Sequence, residues 1–184
     1  MENYYEDFEV AGANLSDADK ETLKKYNSEL ASLETDFNQT LLEGSLAAAQ
    51  TINGKKVAIV NTTQQPLLSE LADRNQRKQL FEAAWNRTDG GAHNTNDILK
   101  RIALLRAKKA ALLGFKNYAE WSLQRTMAKT PAAIAQFFKD LVPASVGKAK
   151  AEAKEIQAQI AKTGGNFSLE PYDWNFYAEQ VRKA

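Results

Sequence analysis

The 184-residue sequence contains no cysteine and only one histidine, His93. A chain without cysteine forms neither disulfides nor thiolate metal sites, which fits a reducing compartment, and we expect a cytoplasmic protein. A zinc site with two imidazole ligands cannot be built from one histidine, and His93 is expected to be solvent-exposed in a polar loop. The sequence therefore offers no catalytic, cofactor-binding or metal-binding residue, and it identifies no substrate-binding residue.

An excess of one charge and long apolar runs are also lacking. The 24 basic and 23 acidic residues give a formal net charge of +1, which provides no electrostatic footprint for nucleic acid or an anionic membrane. No apolar run approaches the roughly 18 residues of a membrane span, and the N-terminus has no apolar signal-peptide segment. We therefore expect neither nucleic acid nor a membrane as a partner.

One local exception is the basic set between Lys100 and Lys109. One interpretation is a basic patch on the surface. The interpretation we favour is the solvent-facing side of an amphipathic helix, because no aromatic residues interleave the set as a platform for single-stranded nucleic acid requires.

Hydrophobic residues make up 43% of the chain and charged residues 26%, which is the composition of a globular protein of one domain. Apolar residues recur mainly at spacings of three and four, which predicts helices. We expect a mostly α fold, a multi-helix array forming a single domain over residues 1–184. At most one short strand or minimal hairpin is expected, around the β-branched run from Val57 to Val60.

The clearest helix signals lie between Asn96 and Leu141, where three consecutive helices are predicted. Gly114 is expected to end the first, since glycine readily takes the left-handed conformation that closes a helix. Asn117 is expected to cap the second, which would run to about Ala128. Thr130-Pro131 opens the third with a capping hydroxyl and a proline at the first helical position.

Other helices flank this stretch. A long amphipathic helix contains Leu23 to Leu41 and is predicted to end at Gly44, with a short alanine-rich turn over residues 45–50 as a possible addition. Val142-Pro143 predicts a kink or break, because proline disfavours helix in the preceding residue. Beyond it lies a stripe of small and branched apolar residues typical of one arm of an antiparallel helix pair. Its members are Val146, Ala149, Ala153, Ile156 and Ile160.

The region between the long helix and the central stretch contains the only strand signal. Asn53-Gly54 is a strong turn signal, and the strand is expected either to form a minimal hairpin with Gln50 to Ile52 or to be completed by sequence outside this chain. Pro66 is expected to start the next helix and Asp73 to cap another. Asp173 is expected to cap the last helix, which reaches Ala184 without a stop signal and suggests a cut.

Three motifs carry a resemblance to a known family. Leu112 to Glu120 is Leu-Leu-Gly-Phe-Lys-Asn-Tyr-Ala-Glu, Met127 to Pro131 is Met-Ala-Lys-Thr-Pro, and the last helix follows Asp-Trp-x-x-Tyr-Ala-Glu-x-Val-Arg-Lys. With these motifs the chain resembles the helical domain of the thimet-oligopeptidase-like zinc metallopeptidases, with the dipeptidyl carboxypeptidase branch as the nearest. The resemblance covers nearly the whole chain, but residues 43–56 form a shorter link than the family pattern.

The resemblance implies that the parent enzyme hydrolyses short peptides with a zinc ion held by a His-Glu-x-x-His helix downstream of the region covered here. This chain would be a non-catalytic helical wall without zinc, and its partner would be the missing catalytic domain of the same polypeptide. Apolar surface meant for that domain is expected to cause weak self-association. The alternative is a self-contained α-helical protein-interaction module with no enzymatic activity.

Overall fold

A computed structural model describes residues 2–184, with side chains from Tyr4 onward. The prediction of a mostly α fold with a minimal hairpin is confirmed. Two short strands, β1 Gln50–Ile52 and β2 Lys55–Val57, form an antiparallel pair, and 3₁₀ turns occupy Gly91–His93 and Pro171–Asp173. The helices of the described residues are α1 Glu2–Val10, α2 Asp17–Ala47, α3 Asn61–Glu70, α4 Arg74–Asn86, α5 Asn96–Leu112, α6 Tyr118–Leu123, α7 Pro131–Lys162 and α8 Trp174–Lys183.

Contacts along the backbone divide the chain into two compact units. The first unit comprises the described residues up to Gln39 together with Asn96–Leu141, and the second comprises Thr40–Thr95 and Val142–Ala184. The expectation of one helical domain over residues 1–184 stays a prediction.

The core of the first unit lies between α2 and α5. Leu30 of α2 packs against Ile102 and Leu105 of α5, and all three are buried. These residues belong to the apolar faces that the sequence spacing predicts. The partly buried residues around them are Tyr26, Leu33 and Ile98.

Two predicted helix signals of this unit are confirmed between α5 and α6: the glycine that ends α5 and the asparagine that caps α6. Gly114 has a φ of 85° and Phe115 N donates to Ala110 O over 2.9 Å, which is the hydrogen bond of a glycine-closed helix end. The side chain of Asn117 accepts from Glu120 N over 2.9 Å and caps α6. The predicted end near Ala128 is wrong, since α6 stops at Leu123.

The second unit is built on the hairpin, α3, α4 and α8. Asn53 and Gly54 both have positive φ, 50° and 76°, as the two central residues of a type I′ turn require. Strand β2 ends at Val57, which pairs with Gln50, so the predicted strand from Val57 to Val60 is misplaced by about one strand length. The main core of the unit contains Ile52, Val57, Ile59, Leu68, Leu71, Leu80 and Ala84.

Two prolines lie inside helices. The prediction that Pro66 starts a helix is therefore wrong, and so is the predicted break at Pro143, while a kink there stays a prediction. Pro66 is inside α3, which begins at Asn61, and Pro143 is inside α7, which continues across Val142. Each proline removes one donor to the carbonyl four residues earlier, at Thr62 or Lys139. Both of these residues are exposed, so water can replace the missing donor.

Gly44 does not end α2, which continues to Ala47. A Cβ at this position would lie 2.7 Å from both Arg87 O and Thr88 Cγ2. Gly44 is therefore required for the close approach of α2 to the segment after α4, and not for ending the helix.

We predict opposite effects for two glycine-to-alanine substitutions inside helices. G44A should lower the free energy of unfolding by about 1–3 kcal/mol, because the methyl group overpacks the contact with Arg87. G147A is the matched control, since a Cβ at Gly147 of α7 meets nothing within 4 Å. It should raise the free energy of unfolding by about 0.5–1 kcal/mol through helix propensity. Urea denaturation followed by circular dichroism measures both, and equal effects would contradict the packing role of Gly44.

Candidate functional site

The most buried polar cluster in the described residues surrounds Asp173, at the end of the 3₁₀ turn that precedes α8. Its side chain is fully buried, and Arg77 is 1% exposed. Arg77 Nη2 donates to Asp173 Oδ1 over 2.9 Å, and Arg74 Nη2 donates to Asp173 Oδ2 over 2.9 Å. The two arginines lie three residues apart in α4, so they present their guanidinium groups on the same side of the helix.

The expectation that Asp173 caps α8 is wrong. Its side chain makes no capping hydrogen bond to α8 and instead accepts from Glu170 N over 3.2 Å, closing the 3₁₀ turn. The carboxylate faces the two guanidinium groups because leaving a buried charge unpaired would cost more free energy than leaving the first turn of α8 without a side-chain cap.

Aromatic rings cover the guanidinium groups. Arg74 Cζ lies 3.9 Å from the ring centre of Phe167, and Arg77 Cζ lies 4.4 Å from that of Phe176. Stacking on aromatic faces is favourable for the planar guanidinium group. Arg77 Nη1 also donates to Leu71 O and Ala72 O, at the end of α3.

The protonation state of Asp173 follows from these contacts. Burial acts to raise its pKa, but the hydrogen bonds from Arg74, Arg77 and Glu170 N outweigh burial and hold the pKa below the ordinary value. The hydrogen bond to Asp173 raises the pKa of Arg74. A carboxylate held ionised by donors from three residues is a poor proton acceptor at neutral pH. The cluster therefore joins α4 to the turn before α8 and does not provide a catalytic base.

The single histidine does not provide a metal centre either. His93 Nδ1 lies 3.7 Å from Glu43 Oε2, and its side chain is 32% exposed. His93 is therefore only partly exposed, beside Glu43, where plain solvent exposure was expected. Among residues 4–184, whose side chains the structure describes, no group of three His, Cys, Asp or Glu side chains could hold a metal ion. The side chains of this described part do not fit a zinc site.

The basic residues of α5 contact acidic residues of α2. Arg101 Nε donates to Glu29 Oε1, and Arg106 Nη2 donates to Glu34 Oε1 over 3.1 Å. The hydrogen bond with Arg101 lowers the pKa of Glu29. All four side chains are partly exposed, in keeping with the favoured interpretation of this set as the solvent-facing side of a helix.

Aromatic residues of α6 also cover part of this basic set. Arg106 Cζ lies 5.2 Å from the ring centre of Tyr118, and Lys109 Nζ lies 4.7 Å from that of Trp121. Sequence spacing along α5 alone could not reveal these rings, because they come from the next helix.

Comparison with known proteins identifies the family of this chain. Residues 67–184 match peptidase family M3. The chain belongs to peptidase family M3. The match includes α4, α8 and the complete Asp173 cluster, and it confirms the family resemblance of the sequence motifs.

Relatives within family M3 align with more of the chain. The dipeptidyl carboxypeptidase of Escherichia coli is 39% identical over 211 aligned positions, which cover 100% of this chain and 31% of the relative. Its counterpart from Salmonella typhimurium is 39% identical over 96% of this chain and 30% of the relative. Oligopeptidase A of Haemophilus influenzae is 24% identical over 100% of this chain and 31% of the relative. The chain thus spans about a third of the length of these family M3 relatives.

One further finding concerns membranes. In the described part of this family M3 chain, residues 2–184, no helix is both long enough and apolar enough to cross a bilayer.

Sequence reasoning missed Arg74 and Arg77. The missed signal is the position of Arg77 on α4, three residues before Leu80 and seven before Ala84, both of which are buried. An arginine on the apolar side of a helix is a sign that a carboxylate or carbonyl partner lies inside the fold.

We predict that D173N destabilises the family M3 chain by about 3–5 kcal/mol, because it leaves two guanidinium groups without their counter-charge. The free energy of unfolding from urea denaturation is the measurement. D36N removes the same charge from an exposed position of α2 and should change stability by less than about 0.5 kcal/mol. Similar effects of the two substitutions would show that the buried cluster contributes little.

The stabilisation from Asp173 should also depend on pH. Because its folded-state pKa is lowered, the contribution is present above the ordinary carboxyl pKa of 3.8 and is lost as the pH falls through the folded-state value. The difference in free energy of unfolding between the wild type and D173N should therefore narrow below pH 3.8. A difference that stays constant from neutral to acidic pH would contradict the lowered pKa.

Proposed function

We propose that this chain is the non-catalytic helical part of a family M3 zinc peptidase that hydrolyses short peptides. The observation that carries the proposal is the alignment of the whole chain with about 31% of a dipeptidyl carboxypeptidase, together with the family match over residues 67–184. The single histidine of the sequence is too few for the His-Glu-x-x-His helix implied by the resemblance. The chain itself therefore binds no catalytic zinc and cleaves no peptide.

The role of the chain in the parent enzyme is to form a wall of the peptide channel. A rigid helical wall excludes folded proteins and admits extended peptides by shape alone. The zinc cofactor and the oligopeptide substrate belong to the parent, and the remaining part of the same polypeptide is the partner. The cytoplasm is the proposed location, and weak self-association of the isolated chain stays a prediction.

A second candidate function is a free-standing helical interaction module without enzymatic activity. The exposed valines Val142 and Val146 of α7 favour it, since apolar side chains exposed near each other mark interaction surfaces. The two candidates differ in whether the chain can complete a peptidase.

A graft tests the proposal. The matched stretch of the Escherichia coli dipeptidyl carboxypeptidase is replaced by residues 1–184 of this chain, and release of dipeptides from a short peptide is measured with and without a chelator. We expect chelator-sensitive hydrolysis by the graft. The isolated chain and the relative with the stretch deleted should show none.

The zinc content of each protein is also measured, because it shows whether a graft without activity has a loaded metal site. A graft that binds zinc, melts cooperatively and still fails to release dipeptides would contradict the proposed function. Chelator-sensitive hydrolysis by the isolated 184-residue chain would contradict the non-catalytic assignment.

A further inference from the structure

An apolar stripe runs along the part of α7 that lies in the second unit. Its positions are three or four residues apart, which places them on one side of a helix. The stripe consists of Val142, Val146, Ala149, Ala153, Ile156 and Ile160. A continuous stripe of this kind is typical of a helix that is covered along its whole length.

The C-terminal half of the stripe is covered by α8. Ile156 and Ile160 are 3% and 0% exposed and form one buried cluster with Tyr177 of α8. Gln159 Nε2 also donates to Gln180 Oε1 over 3.4 Å across the same interface. This half therefore has the partner that its pattern predicts.

The N-terminal half of the stripe is exposed. Val142 and Val146 are 46% and 44% exposed, and Ala149 is exposed as well. Complete burial of a valine side chain contributes about 1.5–3 kcal/mol. Valine is also a poorer helix former than the lysine, alanine and glutamate around it. Exposed valines at this spacing thus fit a surface that is covered in the intact protein.

A groove lies beside the covered half of the stripe, and the residues of α7 that line it run from Lys148 to Ile156. It has a volume of about 290 Å³, with an apolar floor that includes Ile156, Trp174 and Val181. Its rim carries both charge signs, and Lys148 Nζ lies 3.5 Å from Glu152 Oε1. The rim residues are Lys148, Glu152, Glu155 and Arg182.

We propose that an amphipathic helix from the rest of a family M3 polypeptide packs into this groove and over Val142, Val146 and Ala149. The inference rests on the proposed function, because it places the partner in the two thirds of the relatives that this chain does not match. It extends the interface that α8 already makes with α7. The span from position 142 to 156 is about 21 Å, or four helical turns, and the mixed rim matches a helix with both charge signs beside its apolar side.

Two alanines of α7 provide a matched test. Ala149 lies on the stripe, and Ala151 lies two residues further, on the opposite side, while both are exposed. The probe is the Escherichia coli dipeptidyl carboxypeptidase with its matched stretch deleted, added in trans to the 184-residue chain. A149E should weaken this binding about tenfold or more, because an unpaired carboxylate would be buried, and A151E should change it less than about twofold. Both variants should keep the thermal stability of the free chain.

The cysteine-free sequence allows a second measurement. In A149C and A151C the introduced thiol is the only one in the chain, so its reaction rate with a maleimide reports its exposure. Binding of the probe should slow the reaction of A149C and leave that of A151C unchanged.

The outcomes separate the inference from the proposed function. If the wild-type chain binds the probe and restores peptide hydrolysis but A149E and A151E behave alike, the inference is overturned and the proposed function stands. If A149E abolishes self-association of the free chain in sedimentation and leaves probe binding unchanged, the partner is a second copy and the inference is overturned. A wild-type chain that neither binds the probe nor restores hydrolysis overturns both.

Discussion

The second unit depends on the ion pairs that the buried carboxylate of Asp173 makes with Arg74 and Arg77. The carboxylate joins these two arginines of α4 to the turn before α8, across sequence separations of 99 and 96 residues. The guanidinium group of Arg77 could not be buried without the carboxylate, and the carboxylate could not be buried without Arg77 and the partly exposed Arg74. The same cluster positions two aromatic residues, Phe167 of the loop before α8 and Phe176 of α8, because their rings stack on these guanidinium groups.

The helical architecture was largely predictable because its signals are local. Apolar spacing identified α2, α5 and the stripe of α7, and side-chain caps at Asn117 and Asp73 start α6 and α4 as predicted. The predictions failed where a residue has two possible roles. Gly44 was predicted to end a helix but is a close-packing site beside Arg87 and Thr88, which are distant in sequence and invisible to local reasoning. A break was one of two predictions at Pro143, but the helix continues there because water can reach the carbonyl that loses its donor.

The polar clusters were less predictable than the helices. A count of histidines is enough to exclude a zinc site with two imidazole ligands, and family motifs indicate the class of protein. Nothing in the spacing of Asp173 relates it to Arg74, because their contact is made through the tertiary fold. The pairing of α5 basic residues with Glu29 and Glu34 was missed for the same reason. Sequence analysis identified the basic residues of α5 but could not predict that the acidic residues of α2 lie beside them.

The second unit is discontinuous in sequence, and this has a consequence for folding on the ribosome. Its first part, Thr40–Thr95, emerges long before Val142–Ala184. At a synthesis rate of roughly 5–20 residues per second, Arg77 waits several seconds for Asp173. Until then Arg77 stays hydrated and α4 is not joined to the turn before α8, so this ion pair forms only after the last part of the unit has emerged.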